Sequence, residues 1–140
     1  MKVRFKKLHS EARAPFRAVE GAAGWDLFAT RERLHSGSGG EYTEYGTGLA
    51  VEIPPGYVGL LFARSSVTKT NSYLGNGVGV LDEGYVGEIL FRYKGSAYPY
   101  NVGERVGQLV IVPCPEIEFE EANELGYSVR GTGGFGSSGT

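Results

Sequence analysis

Apolar residues along this chain come in short runs that stop at turn signals, and several alternate with polar residues at a period of two. Val3 to Leu8 predicts a first strand. Gly46 to Ile53 is a second apolar run, stopped by Pro54-Pro55-Gly56, and Tyr57 to Ala63 follows at once. That order predicts two strands joined by a tight connection. Asn76 to Leu81 and Val86 to Tyr93 flank Asp82-Glu83-Gly84, a turn signature, and read as the arms of a β-hairpin. Within the second arm Ile89, Phe91 and Tyr93 fall on one face, with Leu90 and Arg92 on the other. Val106 to Val112 predicts a further strand, closed by Pro113. Glu116 to Leu125 is the one stretch with weak helical character. Glu32 to Gly40, which ends in Ser-Gly-Ser-Gly-Gly, reads as a flexible excursion. Many short strands separated by Gly/Pro turns predict an all-β barrel or sandwich such as a jelly roll.

Composition sharpens this picture. A chain of 140 residues has room for one domain. Its 23 glycines oppose long helices and favour tight turns and close backbone approach. The net charge of −2 lacks the basic excess of a protein that grips nucleic acid, so no nucleic-acid partner is expected. One cysteine, Cys114, excludes an intrachain disulfide, and with only two histidines a four-ligand Cys/His zinc site is excluded as well. No apolar run approaches the roughly 18 residues of a membrane span, and the N-terminus has no signal-peptide apolar core. The expectation is a soluble cytoplasmic protein, or a nuclear or viral one if the source is eukaryotic or viral, with no membrane partner.

Several side chains invite a chemical reading beside a plain one. Arg64-Ser65-Ser66 follows a predicted strand; a cation followed by small hydroxyls and amides suits phosphate, and equally suits an ordinary strand-to-turn junction. Asp82 and Tyr85 lie at the predicted hairpin tip. Asp is common in turns, and a carboxylate there can also take a proton from water. Asp26, in Ala23-Gly24-Trp25-Asp26-Leu27, is flanked by apolar residues and needs a partner, for which a hydrated Mg²⁺ is one candidate. Gln108 interrupts an apolar strand and is either bonded within the fold or aimed at a ligand. The last eleven residues, RGTGGFGSSGT, hold five glycines and cannot build a core. They read either as a disordered terminus or as an arm that orders over a ligand through Arg130, glycine amides and the Phe135 ring. The tail matches G-x-G-x-x-G, but no helix and no acidic residue about 20 positions on follow it, so it fails as a dinucleotide fingerprint.

Taken in order, five short motifs closely resemble those of the dUTPase family. They are AGWDL at Ala23 to Leu27, ARSSV at Ala63 to Val67, GNGVGVLDEGYVGE at Gly75 to Glu88, GERVGQLV at Gly103 to Val110, and RGTGGFGSSG at Arg130 to Gly139. TGLAVEIPPGYVG, Thr47 to Gly59, is a further family-like stretch. The departures are Ala63 where proline is common, a bulky Trp25 in the first motif, and Gly107 in place of alanine; none removes a functional group.

The resemblance implies a jelly-roll-like β-barrel over residues 1–129 and a C-terminal arm, 130–140, that closes over a neighbour's site in a homotrimer with shared active sites. It implies hydrolysis of dUTP to dUMP and pyrophosphate, which keeps uracil out of DNA and supplies dUMP for thymidylate synthesis. In that frame Asp82 is the general base, and Asp26 holds Mg²⁺ through water. Arg64, Ser65, Ser66 and Gln108 cradle phosphates. Asn76, Gly79 and Val80 belong to the arm that pairs with uracil, and Tyr85 packs on the deoxyribose. Arg130 meets the γ-phosphate with Ser137 and Ser138, while Phe135 stacks on uracil beside Gly136. Two rivals share the scaffold. A dCTP deaminase needs a glutamate ten positions after the hairpin aspartate, where this chain has Arg92. A nucleotide-sensing or partner-binding protein is the other.

Overall fold

The computed structural model describes residues 1–139; Thr140 lies outside the described residues. Ten strands form three antiparallel sheets among them. They are β1 (Phe5–Lys7), β2 (Trp25–Phe28), β3 (Arg31–Gly37), β4 (Gly40–Gly46), β5 (Leu49–Val51), β6 (Tyr57–Phe62), β7 (Ser72–Leu74), β8 (Gly79–Leu81), β9 (Leu90–Gly95) and β10 (Arg105–Pro113). One sheet runs β2-β10-β6-β8, a second β3-β4-β9-β7, and β1 pairs with β5 alone. This is the all-β, jelly-roll-like architecture that the short apolar runs predict.

The core lies between the sheets. Ile89, Phe91 and Tyr93 are buried on the predicted inward face, whereas Arg92 is exposed. Leu27, Leu49, Ile53, Val106 and Leu109 close around them. Tyr45 and Tyr93 sit within this apolar mass because each hydroxyl finds a backbone partner, and Tyr100 packs edge-on against both rings. The Tyr45 hydroxyl donates to the Tyr100 carbonyl at 2.7 Å and accepts from the Tyr100 N–H at 2.9 Å, and the Tyr93 hydroxyl donates to the Val106 carbonyl at 2.6 Å.

Four expectations need correction. Residues 32–40 are not a loose excursion: β3 and β4 form a hairpin in register from Arg31↔Gly46 to Gly37↔Gly40. Gly40, with φ of 87°, turns the chain back. The run Gly46 to Ile53 is split, because the Thr47 hydroxyl donates to the Ile89 carbonyl at 2.8 Å and ends one strand before the next begins. Its second part, β5, lies in a different sheet from β6, so Pro54-Pro55-Gly56 joins two layers rather than two neighbours. Residues 76–93 form no hairpin. The turn at Asp82 exists, closed by the Tyr85 N–H on the Asp82 carbonyl at 3.2 Å, but β8 pairs with β6 and β9 pairs with β4 and β7. Finally, Glu116 to Leu125 is not helical. Glu116-Ile117-Glu118-Phe119-Glu120 alternates at a period of two, and every residue from Cys114 to Thr132 is exposed.

Candidate active site

Two clusters gather the residues singled out by sequence, and the first lies at one end of β2, β10 and β6. Asp26 is clamped through its backbone by Phe16, with hydrogen bonds of 2.7 and 2.9 Å. Its side chain is half-buried, and its two carboxylate oxygens accept from Arg64 Nε and Arg105 Nη1, each at 3.0 Å. The partner that a carboxylate among apolar neighbours requires is therefore a pair of guanidinium groups. Arg64 lies beyond β6 with one residue between and leads into a 3-10 helix, Ser65–Lys69. Arg64 Nη1 also reaches Ser66 Oγ at 3.4 Å, while Ser65 is exposed beside it. Gln108 pairs with Asp26 across β2 and with Phe62 across β6, and its amide donates to the Ala63 carbonyl at 3.1 Å.

Arg105 is the member that residue-by-residue reading misses, although it stands inside GERVGQLV. In a regular strand it would share a face with Gly107 and Leu109. The β2–β10 register shifts between Arg105 and Gly107, so that Arg105 pairs with Phe28 and turns to the face of Gln108 and Asp26. The same shift sends Val106 into the core, where it is fully buried. The cluster thus presents two cations on one anion, with the hydroxyl of Ser66 at its edge. That is an arrangement for oxyanions.

The second cluster is an open pocket of about 460 Å³. Asn76, Gly79, Val80, Asp82 and Tyr85 all line it, and on its other side stand Tyr42, Glu88, Leu90, Arg92 and Lys94. Asp82 is exposed here, so it both shapes the turn and offers a free carboxylate to the cavity. The Tyr85 hydroxyl donates to the Glu88 carbonyl at 2.9 Å, which fixes the ring at the pocket mouth; Gly87 makes that approach feasible, since a Cβ there would press on the ring. The walls come from two sheets, β8 on one side and β9 on the other.

The structure keeps the two clusters apart within one chain: neither Asp26, Arg64, Ser65, Ser66 nor Gln108 is among the residues lining the pocket. The tail stands apart from both. Arg130 Nε donates to the Gly133 carbonyl at 2.9 Å, the Ser137 N–H bonds to the Gly134 carbonyl at 3.1 Å, and Gly136, Ser138 and the Phe135 ring are exposed.

Magnesium fits this donor set in one way only. Among the described residues no group of three or more His, Cys, Asp or Glu could enclose a metal. Asp26 keeps lone pairs beyond those its arginines use, so it suits a metal-bound water rather than the metal itself.

The dUTPase family model matches residues 10–139. The deoxyuridine 5'-triphosphate nucleotidohydrolase of Hahella chejuensis is 39% identical over 145 residues, covering 100% of this chain and 95% of that protein. Its counterpart in Clostridium acetobutylicum is 37% identical over 141 residues, covering 98% and 96%. Among solved structures, a variant dUTPase of Staphylococcus bacteriophage 80alpha with dUpNHpp superposes with a TM-score of 0.84 at 29% identity over 99% of each chain. A variant dUTPase of phage phi11, described with a structural Mg(II) ion, gives a TM-score of 0.75 at 28% identity over 89% of this chain and 98% of that one. In sequence and in fold, the chain belongs to the dUTPase family.

Proposed function

We propose that this chain hydrolyses dUTP to dUMP and pyrophosphate, that the pocket under Tyr85 takes the deoxyuridine, and that the Asp26–Arg64–Arg105 cluster takes phosphates. The observation that carries this reading is the pairing of Asp82, a free carboxylate, with a nucleoside-sized cavity in a dUTPase-family fold.

Asp82 accepts a proton from the water that attacks the α-phosphorus; the α–β bridging P–O bond breaks and pyrophosphate leaves. Asn76 and the backbone of Gly79 and Val80 meet the base edge, and the Tyr85 ring packs on the sugar, leaving no room for a 2′-hydroxyl. Arg64 and Arg105 hold anionic oxygens, and Asp26 keeps both guanidinium groups oriented by one bond to each. Ser65, Ser66 and Gln108 add donors. Asp26 would hold Mg²⁺ through water, and the ion would supply charge neutralisation for the phosphate oxygens.

The separation of the two clusters supports sites assembled from several copies, as a homotrimer would build them. A second feature supports assembly. Ile117, Phe119, Leu125, Tyr127 and Val129 are each at least 66% exposed, an apolar surface that an isolated chain leaves in water. An apolar groove of about 400 Å³, lined by Val3, Phe5, Trp25, Leu109 and Ile111 among others, offers a seat for such side chains from a second copy. The exposed Lys2, Lys6 and Lys7 beside it complement the acids at Glu116, Glu118 and Glu120. The arm from Arg130 onward then reaches a neighbour's site, where Arg130, Ser137 and Ser138 meet the γ-phosphate side and Phe135 with Gly136 covers the base.

A deaminase reading finds no support at Arg92, which holds a carboxylate rather than supplying one: its Nε donates to Glu44 Oε2 at 2.9 Å. The deciding experiment is a nucleotide panel of dUTP, UTP and dCTP, assayed for pyrophosphate and for ammonia with and without Mg²⁺. Pyrophosphate from dUTP, strengthened by Mg²⁺, is the expected result; ammonia from dCTP would replace this reading.

A further inference from the structure

The strand β2 sends its side chains to two faces. Leu27 enters the core and is fully buried, so its neighbours Asp26 and Phe28 point the opposite way. Arg105, paired with Phe28 across the sheet, stands on that same face. Phe28 is nevertheless only 8% exposed, because the segment before β2 covers it. The Phe16 ring meets it at 6.2 Å and 55°, and the Arg13 guanidinium carbon lies 3.7 Å above its centre. Arg13 is therefore a third cation on the face of the Asp26–Arg64–Arg105 cluster.

Its position is fixed and its bonding capacity is unspent. On one side Ala12 is buried in the core, and on the other Phe16 is bonded to the Asp26 backbone in both directions. Arg4, Arg31, Arg64, Arg92 and Arg105 each hold a carboxylate, whereas Arg13 pairs with none among the described residues. A guanidinium stacked by its flat face on a ring keeps all five N–H groups at its edge free. Three guanidinium groups then share one face with a single carboxylate, an imbalance that a multiply charged anion neutralises. Arg17 makes the same kind of stack on Trp25, at 4.8 Å, but Trp25 lines the apolar groove on the opposite face.

We propose that Arg13 is a further substrate-binding residue, donating from its free edge to phosphate oxygens beyond the α-phosphate and so favouring a triphosphate over a monophosphate. The proposal rests on the Asp26–Arg64–Arg105 cluster being the phosphate site. Arg13 precedes the first of the five motifs and belongs to none of them. Because the Phe28 ring already orients it, little side-chain freedom is lost when an anion arrives.

The test measures Kd by calorimetry for dUMP and for the imido analogue of dUTP, with the full-length chain and its variants. Arg13→Met keeps an unbranched stem on Phe28 and removes the donors. It should shrink the preference for the triphosphate analogue over dUMP about ten- to a hundredfold, the worth of a hydrogen bond from a charged donor, with dUMP binding unchanged. Arg13→Lys, which restores the charge without the planar fork, should lie between Met and wild type and reads the same ratio if the Met variant folds poorly. Arg33→Met removes an exposed cation from the other sheet and should keep the wild-type ratio. A loss there equal to that of Arg13→Met would reduce the effect to net charge and overturn the proposal. Equal weakening of both ligands in both Arg13 variants would overturn it too. Arg105→Met separates the two levels. If it keeps the wild-type ratio, the cluster is not the phosphate site and the reading beneath the proposal fails. If it shrinks the ratio while the Arg13 variants retain it, only the role of Arg13 falls.

Discussion

Gly107 on β10 lies against the ring of Phe91 on β9 so closely that a Cβ at position 107 would overlap the ring carbons. The two residues belong to different sheets and are both fully enclosed, so neither can swing aside into solvent. The glycine that departs from the family's alanine is matched here by a large ring in the space a methyl would take. Gly107→Ala should therefore cost about 1–3 kcal/mol, the usual penalty of overpacking. Urea unfolding at neutral pH checks it. The double variant Gly107→Ala with Phe91→Leu should recover part of the loss.

Asp82→Asn keeps shape and pocket contacts but removes the basic oxygen. Turnover of dUTP should fall about 10²–10⁴-fold, with the Kd of the imido analogue little changed. Steady-state kinetics beside calorimetry separates the two, and near-normal turnover would take Asp82 out of the role of base.

The buried tyrosines set an alkaline limit. Burial pushes the Tyr45 hydroxyl up to about 12. In the unfolded chain it ionises near 10. Below pH 10 both states hold the proton and the contribution is complete. Between about 10 and 12 only the unfolded state loses it, so stability falls as pH rises. Each such group steepens that fall by about 1.4 kcal/mol per pH unit. The urea midpoint should drop above pH 10, and Tyr45→Phe should show a shallower drop from a lower starting stability.

Truncation after Val129 should leave thermal stability and assembly nearly intact, because residues 130–139 bond among themselves and to nearby Ser128 and bury no large side chain. It should still lower kcat/KM for dUTP sharply, through loss of Arg130 and the stacking ring, a base–aromatic stack being worth about 1–3 kcal/mol. Phe135→Ala should give a milder loss. Light scattering together with kinetics reads both effects.

The pocket proposed for the nucleoside is legible in the sequence because its residues from Asn76 to Tyr85 are nearly contiguous, and a turn must bring them together whatever sheets their flanks join. The oxyanion cluster is legible only by motif order. Arg105 depends on an extra residue in one strand, and a strand pattern with period two gives the wrong face for it. The opposite wall of the pocket is hidden for another reason. Tyr42 and Arg92 are far apart in sequence and meet only because β4 pairs with β9. The β3–β4 hairpin escapes notice since β3 is an edge strand with only Leu34 and His35 half-buried, which leaves almost no apolar alternation to read. Glu116 to Val129 misleads because its apolar side chains have no core of their own chain to face.

The pocket draws one wall from the sheet containing β8 and the other from the sheet containing β9, so its width is the spacing between the sheets. That spacing is set from inside the molecule by contacts such as Gly107 on Phe91, whose ring also reaches the pocket lining. The interior therefore works as a caliper for whatever the pocket holds, which is the deoxyuridine on the proposed reading. On the proposed assignment of the pocket, a core exchange that thickens or thins the gap, such as Gly107→Ala behind Phe91, alters the fit of a nucleoside from behind the pocket wall.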